Sequence, residues 1–191
     1  MLERLFKSKT TVRTLELLLF GKPIHIREIA RRISITPIYV KKELEGLEKL
    51  GLVLNKKVGN LSIWEINRKS PVYHEIKSLF LKTESLGSYL QDAFGKAQVE
   101  FAMIYGSFAS GTEKPESDID LFMVGKIDED ELIRLVSKAE RKINREINYV
   151  IWTKTEFIEN AKNRNHLLAN ILKNPVIWIK GDENEFRAAV E

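Results

Sequence analysis

The chain of 191 residues contains no cysteine. That excludes a disulfide framework, a thiolate metal site and a thiol nucleophile, and it fits a reducing cytoplasm. No apolar run approaches the roughly 18 residues that a membrane-spanning helix needs. The apolar stretch Leu15 to Phe20 is too short and wrongly flanked for a signal peptide. Histidine is scarce: His25, His74 and His166 stand alone, with no HxxxH or HxH spacing and no acid at ligand spacing, so all three read as surface or packing residues. Internal repeats and low-complexity tracts are also missing. The expectation is a soluble, cytoplasmic protein with no membrane partner.

What is present is unevenly spread. Residues 1–70 carry 15 Lys and Arg against 7 Asp and Glu, a net of +8, whereas residues 71–191 carry 16 against 20, a net of −4. A basic half of this kind is a candidate polyanion binder. The length leaves room for two modest domains. The polar, proline-containing stretch Asn67 to Pro71 marks a boundary between them.

In the first half, the apolar spacing predicts a core helix over Leu2 to Phe20, ended by Gly21-Lys22-Pro23, and a shorter one over Ile26 to Ile33. Thr36 can cap a third helix whose first position suits Pro37 and which Gly51 terminates. Residues 52–57 and 61–66 read as a hairpin around a Val-Gly-Asn turn. The bulky Trp64, Trp152 and Trp178 fall on predicted strands and read as core. Helix, helix, turn, helix and two-stranded ribbon over residues 9–67 together resemble the winged helix-turn-helix domain of prokaryotic transcription regulators. That resemblance implies a partner of double-stranded DNA. The third helix would enter the major groove with Tyr39, Lys41 and Lys42 facing the DNA, while Arg31, Arg32, Lys56 and Lys57 meet phosphates.

The second half is organised around residues 99–124, VEFAMIYGSFASGTEKPESDIDLFMV. Phe101 to Tyr105 is too short for a core helix and is stopped by Gly106, so it reads as a buried strand; residues 107–111 form at most a helical turn; Ile119 to Val124 returns as a second strand. Asp118 and Asp120, two residues apart on a strand, project to one side and can grip one hard cation, Mg²⁺ or Mn²⁺. Gly106 and Ser107, at the start of a helical turn, offer backbone N–H groups and a hydroxyl to a phosphate. The segment GSFASGTEK mimics a phosphate-binding Walker loop, but Thr112 occupies the lysine position, which argues against one. Helices over 128–143, 155–161, 166–172 and 183–190 alternate with strands over 146–152 and 175–179, giving an α+β chain whose second half holds a small mixed α/β sheet.

Gly106, Ser107, Ala109, Gly111 and Ser117 to Leu121 fix nine positions across sixteen residues. They resemble the GSxxxG...SDxDL signature of the polymerase-beta-like nucleotidyltransferase superfamily, in its minimal branch. The likeness extends into Arg145 to Phe157 and Asn174 to Glu183. It implies domains over 1–70 (winged helix), 71–95 (helical linker) and 96–191 (nucleotidyltransferase-like). It also implies transfer of a nucleoside monophosphate from a nucleoside triphosphate to a hydroxyl, with Asp118 and Asp120 as catalytic metal ligands. Two positions depart from the pattern. Ser110 stands where many minimal members have Arg, and Asn148 stands where a third metal-binding acid is expected, with Glu146 two residues away as a partial substitute. The alternative is therefore a regulator whose second domain is catalytically degenerate and binds nucleotide or mediates homodimerisation. A toxin-antitoxin partnership, known for minimal members, is less expected with a winged helix attached.

Overall fold

The computed structural model describes residues 2–59, 61–84, 98–114, 117–143 and 145–190. The chain divides into two compact units, Met1–Glu84 and Ser85–Glu191.

In the first unit the expected opening helix is two. Lys7 takes a left-handed conformation (φ 53°), and Ser8 starts a new helix by accepting the Thr11 N–H on its hydroxyl at 3.1 Å. A serine at an N-cap satisfies an end that would otherwise be bare. The short α1 (Leu2–Leu5) is thus set off from α2 (Lys9–Phe20). A two-residue strand, β1 (Ile24–His25), leads directly into α3 (Ile26–Ile33). His25 is its N-cap, with Nδ1 accepting the Arg27 N–H at 3.2 Å. Ser34 in the left-handed region closes α3, and Thr36 and Pro37 open α4 (Pro37–Lys49) as the sequence predicts, although the Thr36 hydroxyl makes no capping bond. The hairpin β2 (Val53–Val58) and β3 (Leu61–Ile66) then adds to β1 in a three-stranded antiparallel sheet of order β1-β3-β2.

Leu15, Leu18 and Leu19 of α2, Ile29 and Ile33 of α3, Val40, Leu44 and Leu47 of α4, and Trp64 of β3 are all buried. The stretch after β3 is tied down. Asn67 donates from Nδ2 to the Gly51 carbonyl at 2.8 Å, Ser70 is buried, and α5 (Tyr73–Thr83) buries Phe80 and Leu81, with the Phe80 ring 5.9 Å from that of Phe6. The first unit therefore includes a helix that the sequence assigns to a linker over 71–95. Residues 85–95 of that expected linker lie outside the described residues.

The second unit is a four-stranded sheet of order β6-β5-β4-β7. Its first strand, β4 (Gln98–Tyr105), ends at the helical turn α6 (Gly106–Ser110) and pairs antiparallel with β5 (Ile119–Lys126). From β5 the chain crosses through α7 (Glu129–Ile143) to β6 (Ile147–Trp152), which lies parallel to β5. Such a crossover is the usual way to join parallel neighbours. A capping box of Thr153 and Glu156 opens α8 (Lys154–Lys162), followed by α9 (His166–Lys173), β7 (Ile177–Lys180) antiparallel to β4, and α10 (Glu183–Val190).

Strand alternation sorts the core. Phe101, Met103, Phe122 and Val124 project to one face, where Phe157, Leu168, Ile171 and Phe186 from α8, α9 and α10 meet them. Phe186 is the hub, with ring centroids 5.3 Å from Phe101, 5.3 Å from Phe157 and 5.5 Å from Trp178. Truncating a hub of this kind to Ala costs about 3–5 kcal/mol, so α10 is part of the fold's stability and not an appendage. Ala102, Ile104, Leu121 and Met123 are fully buried on the other face. Trp64 is buried as expected, whereas Trp152 and Trp178 are only partly so.

Candidate functional site

The antiparallel register of β4 and β5 sets Tyr105 opposite Asp120, and the parallel register of β5 and β6 sets Asp120 opposite Asn148. The turn that leaves β4 and the acids that begin β5 consequently meet at one end of the sheet. Gly106 has φ +72°, a conformation that side chains rarely tolerate. A Cβ built there would lie 2.5 Å from Asp120 Oδ2. Glycine is favoured at position 106 on both counts, and its missing side chain is what lets the carboxylate lie against the turn.

Both acids are half-buried. Burial raises the Asp120 pKa above the ordinary carboxylate value, and the neighbouring negative charge of Asp118 raises it further. The Tyr105 hydroxyl is likewise pushed up, by burial first and by Asp120 second. Two carboxylates that repel one another suit a hard divalent cation, which neutralises both. Asn148 approaches from β6, donating from Nδ2 to Asp118 Oδ2 at 3.2 Å. It therefore stands at the site as a neutral amide. Glu146 is exposed, its carbonyl accepting the Ile119 N–H at 2.9 Å. Among the described residues no group of three His, Cys, Asp or Glu side chains is placed to hold a metal, so Glu146 does not complete a third acid. The donor set fits one Mg²⁺ or Mn²⁺ on Asp118 and Asp120, with an amide oxygen available if the Asn148 side chain turns over.

Ser110 is occupied within the turn: its hydroxyl donates to the carbonyls of Gly106 (3.1 Å) and Ser107 (3.2 Å). Gly111, at φ +72°, ends α6 with its N–H on the Ser107 carbonyl. An Arg at 110 would reach out of this turn; Ser closes it instead.

Residues 85–177 match the family described as polymerase beta, nucleotidyltransferase. That match lies wholly within the second unit. Among curated proteins no sequence matches the chain. Solved structures similar to it include a mutant of the toxin-antitoxin MntA-HpeT, 12% identical over 54% of this chain and 76% of that one, with a TM-score of 0.38. A variant of Lactococcus lactis ZitR is 25% identical over 46% of this chain and 61% of its own, with a TM-score of 0.37. A Sulfolobus solfataricus protein described as a nucleotidyltransferase is 20% identical over 48% of this chain and 79% of that one, with a TM-score of 0.30.

Lys77 of α5 is buried and Lys82 partly so, whereas the other basic residues of the first unit lie at its surface, where acids hold several of them. Glu28 takes both Arg31 (2.6 Å) and Arg32 (2.8 Å). The two guanidinium groups pull the Glu28 pKa down to about 2. Lys41 pairs with Glu45 at 3.6 Å, and Lys56 with Glu65. Lys42 and Lys57 are exposed and have no ion pair among the described residues. Tyr39 is 65% exposed on the first turn of α4, and beside it Ile38 is 80% exposed. The sequence reading missed Ile38 and the clamp made by Glu28. The first has a signal, an apolar residue next to Pro37 off the buried stripe of Val40, Leu44 and Leu47. The second is legible as Glu28 three and four residues before Arg31 and Arg32.

Proposed function

We propose that the nucleotidyltransferase-type unit binds a nucleoside triphosphate with one divalent cation, and that the first unit binds duplex DNA. The observation that carries the nucleotide reading is the seating of the Asp120 carboxylate against the side-chain-free Cα of Gly106. It brings cation-binding oxygens and the Gly106-Ser107 turn to one point, which a nucleotide-metal complex needs. Asp118 and Asp120 would hold the cation, and Ser107 Oγ with the backbone of the turn would bind phosphate oxygens. When bound, Mg²⁺ neutralises phosphate charge and orients the triphosphate.

Transfer requires an acceptor oxygen to bond to the α-phosphorus as the bond to pyrophosphate breaks, and the hydroxyl proton must go to a base. Asn148 stands opposite Asp120, where the third carboxylate would lie, and an amide accepts no such proton. The native protein therefore binds nucleotide and transfers nucleoside monophosphate slowly or not at all. This makes the regulator with a weakly active or inactive transferase domain the better reading.

The test is calorimetric binding of ATP, GTP, CTP and UTP with Mg²⁺ to the wild type and to the Asp118→Asn/Asp120→Asn variant. The variant should remain folded and lose metal-dependent affinity. Undiminished affinity in it would reduce the acid pair to a turn.

The DNA reading rests on the order and packing of α2, α3, α4 and the β2–β3 hairpin in a +8 module, with Tyr39, Lys42 and Lys57 exposed. If Lys42 and Lys57 meet phosphates, replacing either lowers affinity on all sequences and flattens the slope of log K against log salt by about one unit. Slopes unchanged in both variants would reject this surface.

A further inference from the structure

Arg145 sits between α7 and β6, far in sequence from the signature residues, and is only 8% exposed. Its backbone is anchored, with its N–H on the Glu140 carbonyl at 3.4 Å, and the next but one residue, Ile147, donates to Glu140 Oε1 at 2.9 Å. From there the guanidinium reaches both parts of the candidate site. Nη1 donates to the carbonyls of Ser117 (2.7 Å) and Lys114 (3.3 Å), and the guanidinium carbon lies 5.4 Å from the ring centroid of Phe108. Ser117 immediately precedes Asp118, and Phe108 immediately follows the Gly106-Ser107 pair.

The geometry is that of a brace. Lys114 and Ser117 already close on each other, with the Ser117 N–H on the Lys114 carbonyl at 3.1 Å and the Lys114 N–H on Ser117 Oγ at 2.9 Å. Arg145 then holds the outer oxygens of this turn. A peptide group is planar, so fixing the Ser117 carbonyl fixes the plane through which the chain enters Asp118. The Ile119 N–H bond to the Glu146 carbonyl, at 2.9 Å, sets the other side of Asp118. A guanidinium presents its donors in a fixed planar fork and holds two carbonyls beside a ring with less loss of side-chain freedom than an ammonium on its flexible stem.

We propose that Arg145 is a positioning residue for the nucleotide site, fastening the loop that bears Asp118 to the turn that bears Gly106 and Ser107. This rests on the nucleotide reading of the second unit. The consequence is that Arg145 sets cation and nucleotide affinity without touching either ligand, because a cation site tolerates only small displacements of its oxygens.

The test compares wild type, Arg145→Met and Arg145→Lys with a control, Val136→Ala, which removes buried volume from α7 at a position nine residues before Arg145. Mn²⁺ binding by electron paramagnetic resonance, with and without a non-hydrolysable ATP analogue, should weaken tenfold or more in Arg145→Met. It should be partly restored in Arg145→Lys and unaltered in Val136→Ala, each protein being shown folded by circular dichroism. Amide exchange should show the Ser117 N–H losing protection in Arg145→Met, while Met123 in the middle of β5 keeps it. Wild-type Mn²⁺ affinity together with unchanged Ser117 protection in Arg145→Met would overturn the proposal, as would equal losses in Val136→Ala. Should the wild type bind neither Mn²⁺ nor nucleotide, the functional reading fails. In that case exchange at Ser117 still decides the brace: protection lost only there supports it, and protection unchanged overturns it.

Discussion

Replacing Gly106 with Ala should disable the site by an amount that can be separated into strain and collision. Gly106 and Gly51 have almost the same backbone angle, φ +72° and +71°. A Cβ at Gly51 would meet nothing within 4 Å, whereas one at Gly106 would lie 2.5 Å from Asp120 Oδ2. Placing Ala in the left-handed region costs about 1–2 kcal/mol wherever it is done. Gly51→Ala pays that strain alone. Gly106→Ala pays it too and must also push the carboxylate away by several tenths of an ångström, raising the total to about 2–3 kcal/mol. Since the obstructing atom ends a side chain, the second unit still folds. A shift of that size is large for a cation held at about 2.1 Å, so Mn²⁺ affinity should fall at least tenfold in Gly106→Ala. It should be unchanged in Gly51→Ala. Denaturant unfolding, read for each unit from its own transition, gives the stability term, and Mn²⁺ titration gives the site term. Equal stability losses with intact Mn²⁺ binding in both variants would refute the argument that Asp120 is seated against Gly106.

Asp120→Asn should separate stability from function: burial and Asp118 disfavour the charged form, so fold stability falls as pH rises past the ordinary carboxylate range. The amide variant should unfold no more easily than wild type at pH 7 while losing Mn²⁺ binding. Asn148→Asp would set a third carboxylate against Asp118; metal affinity should rise and pyrophosphate release from a nucleoside triphosphate should appear, and a variant with neither change would discredit the missing-base argument. Glu28→Gln frees Arg31 and Arg32, so DNA affinity should rise and its salt dependence steepen by one to two units, as gel-shift titrations against salt would show. In the wild type the Glu28 pKa is lowered from 4.5 to about 2, so the two ion pairs are intact above about pH 4.5 and should be lost as pH falls through about 2. Two-dimensional NMR of the Arg31 and Arg32 side chains would follow their release.

The elements of the second unit were legible because each carries a local mark. A short apolar run ended by Gly106 can be little but a strand, and α7 alternates buried Leu132, Val136, Ala139 and Ile143 with charge. The opening helix was misjudged because its apolar spacing runs through Ser8, and only the capping bond to Thr11 shows that the chain restarts there. The stretch 67–71 has the composition of a linker, yet Asn67 is bound to Gly51, a tie that composition does not encode. The same limit applies at the site. Asp118, Asp120 and Gly106 stand out by spacing, and Asn148 does so by the resemblance alone. Arg145 is hidden, since its partners lie about thirty residues away and the residue itself looks like one more surface cation at a helix end.

The order β6-β5-β4-β7 leaves β6 at the margin of the sheet, and Asn148 on it is exposed. Codons for Asn and Asp differ in one base, and no buried atom need move to exchange them at this position. On the function proposed above, catalytic capacity in a lineage carrying this fold would be gained or lost in a single mutational step almost invisible to selection on folding. Binding, which that proposal assigns to the more deeply set Gly106 and Asp120, would change far more slowly. By that reading a sensor and an enzyme would be evolutionary neighbours, separated by one nucleotide at the rim.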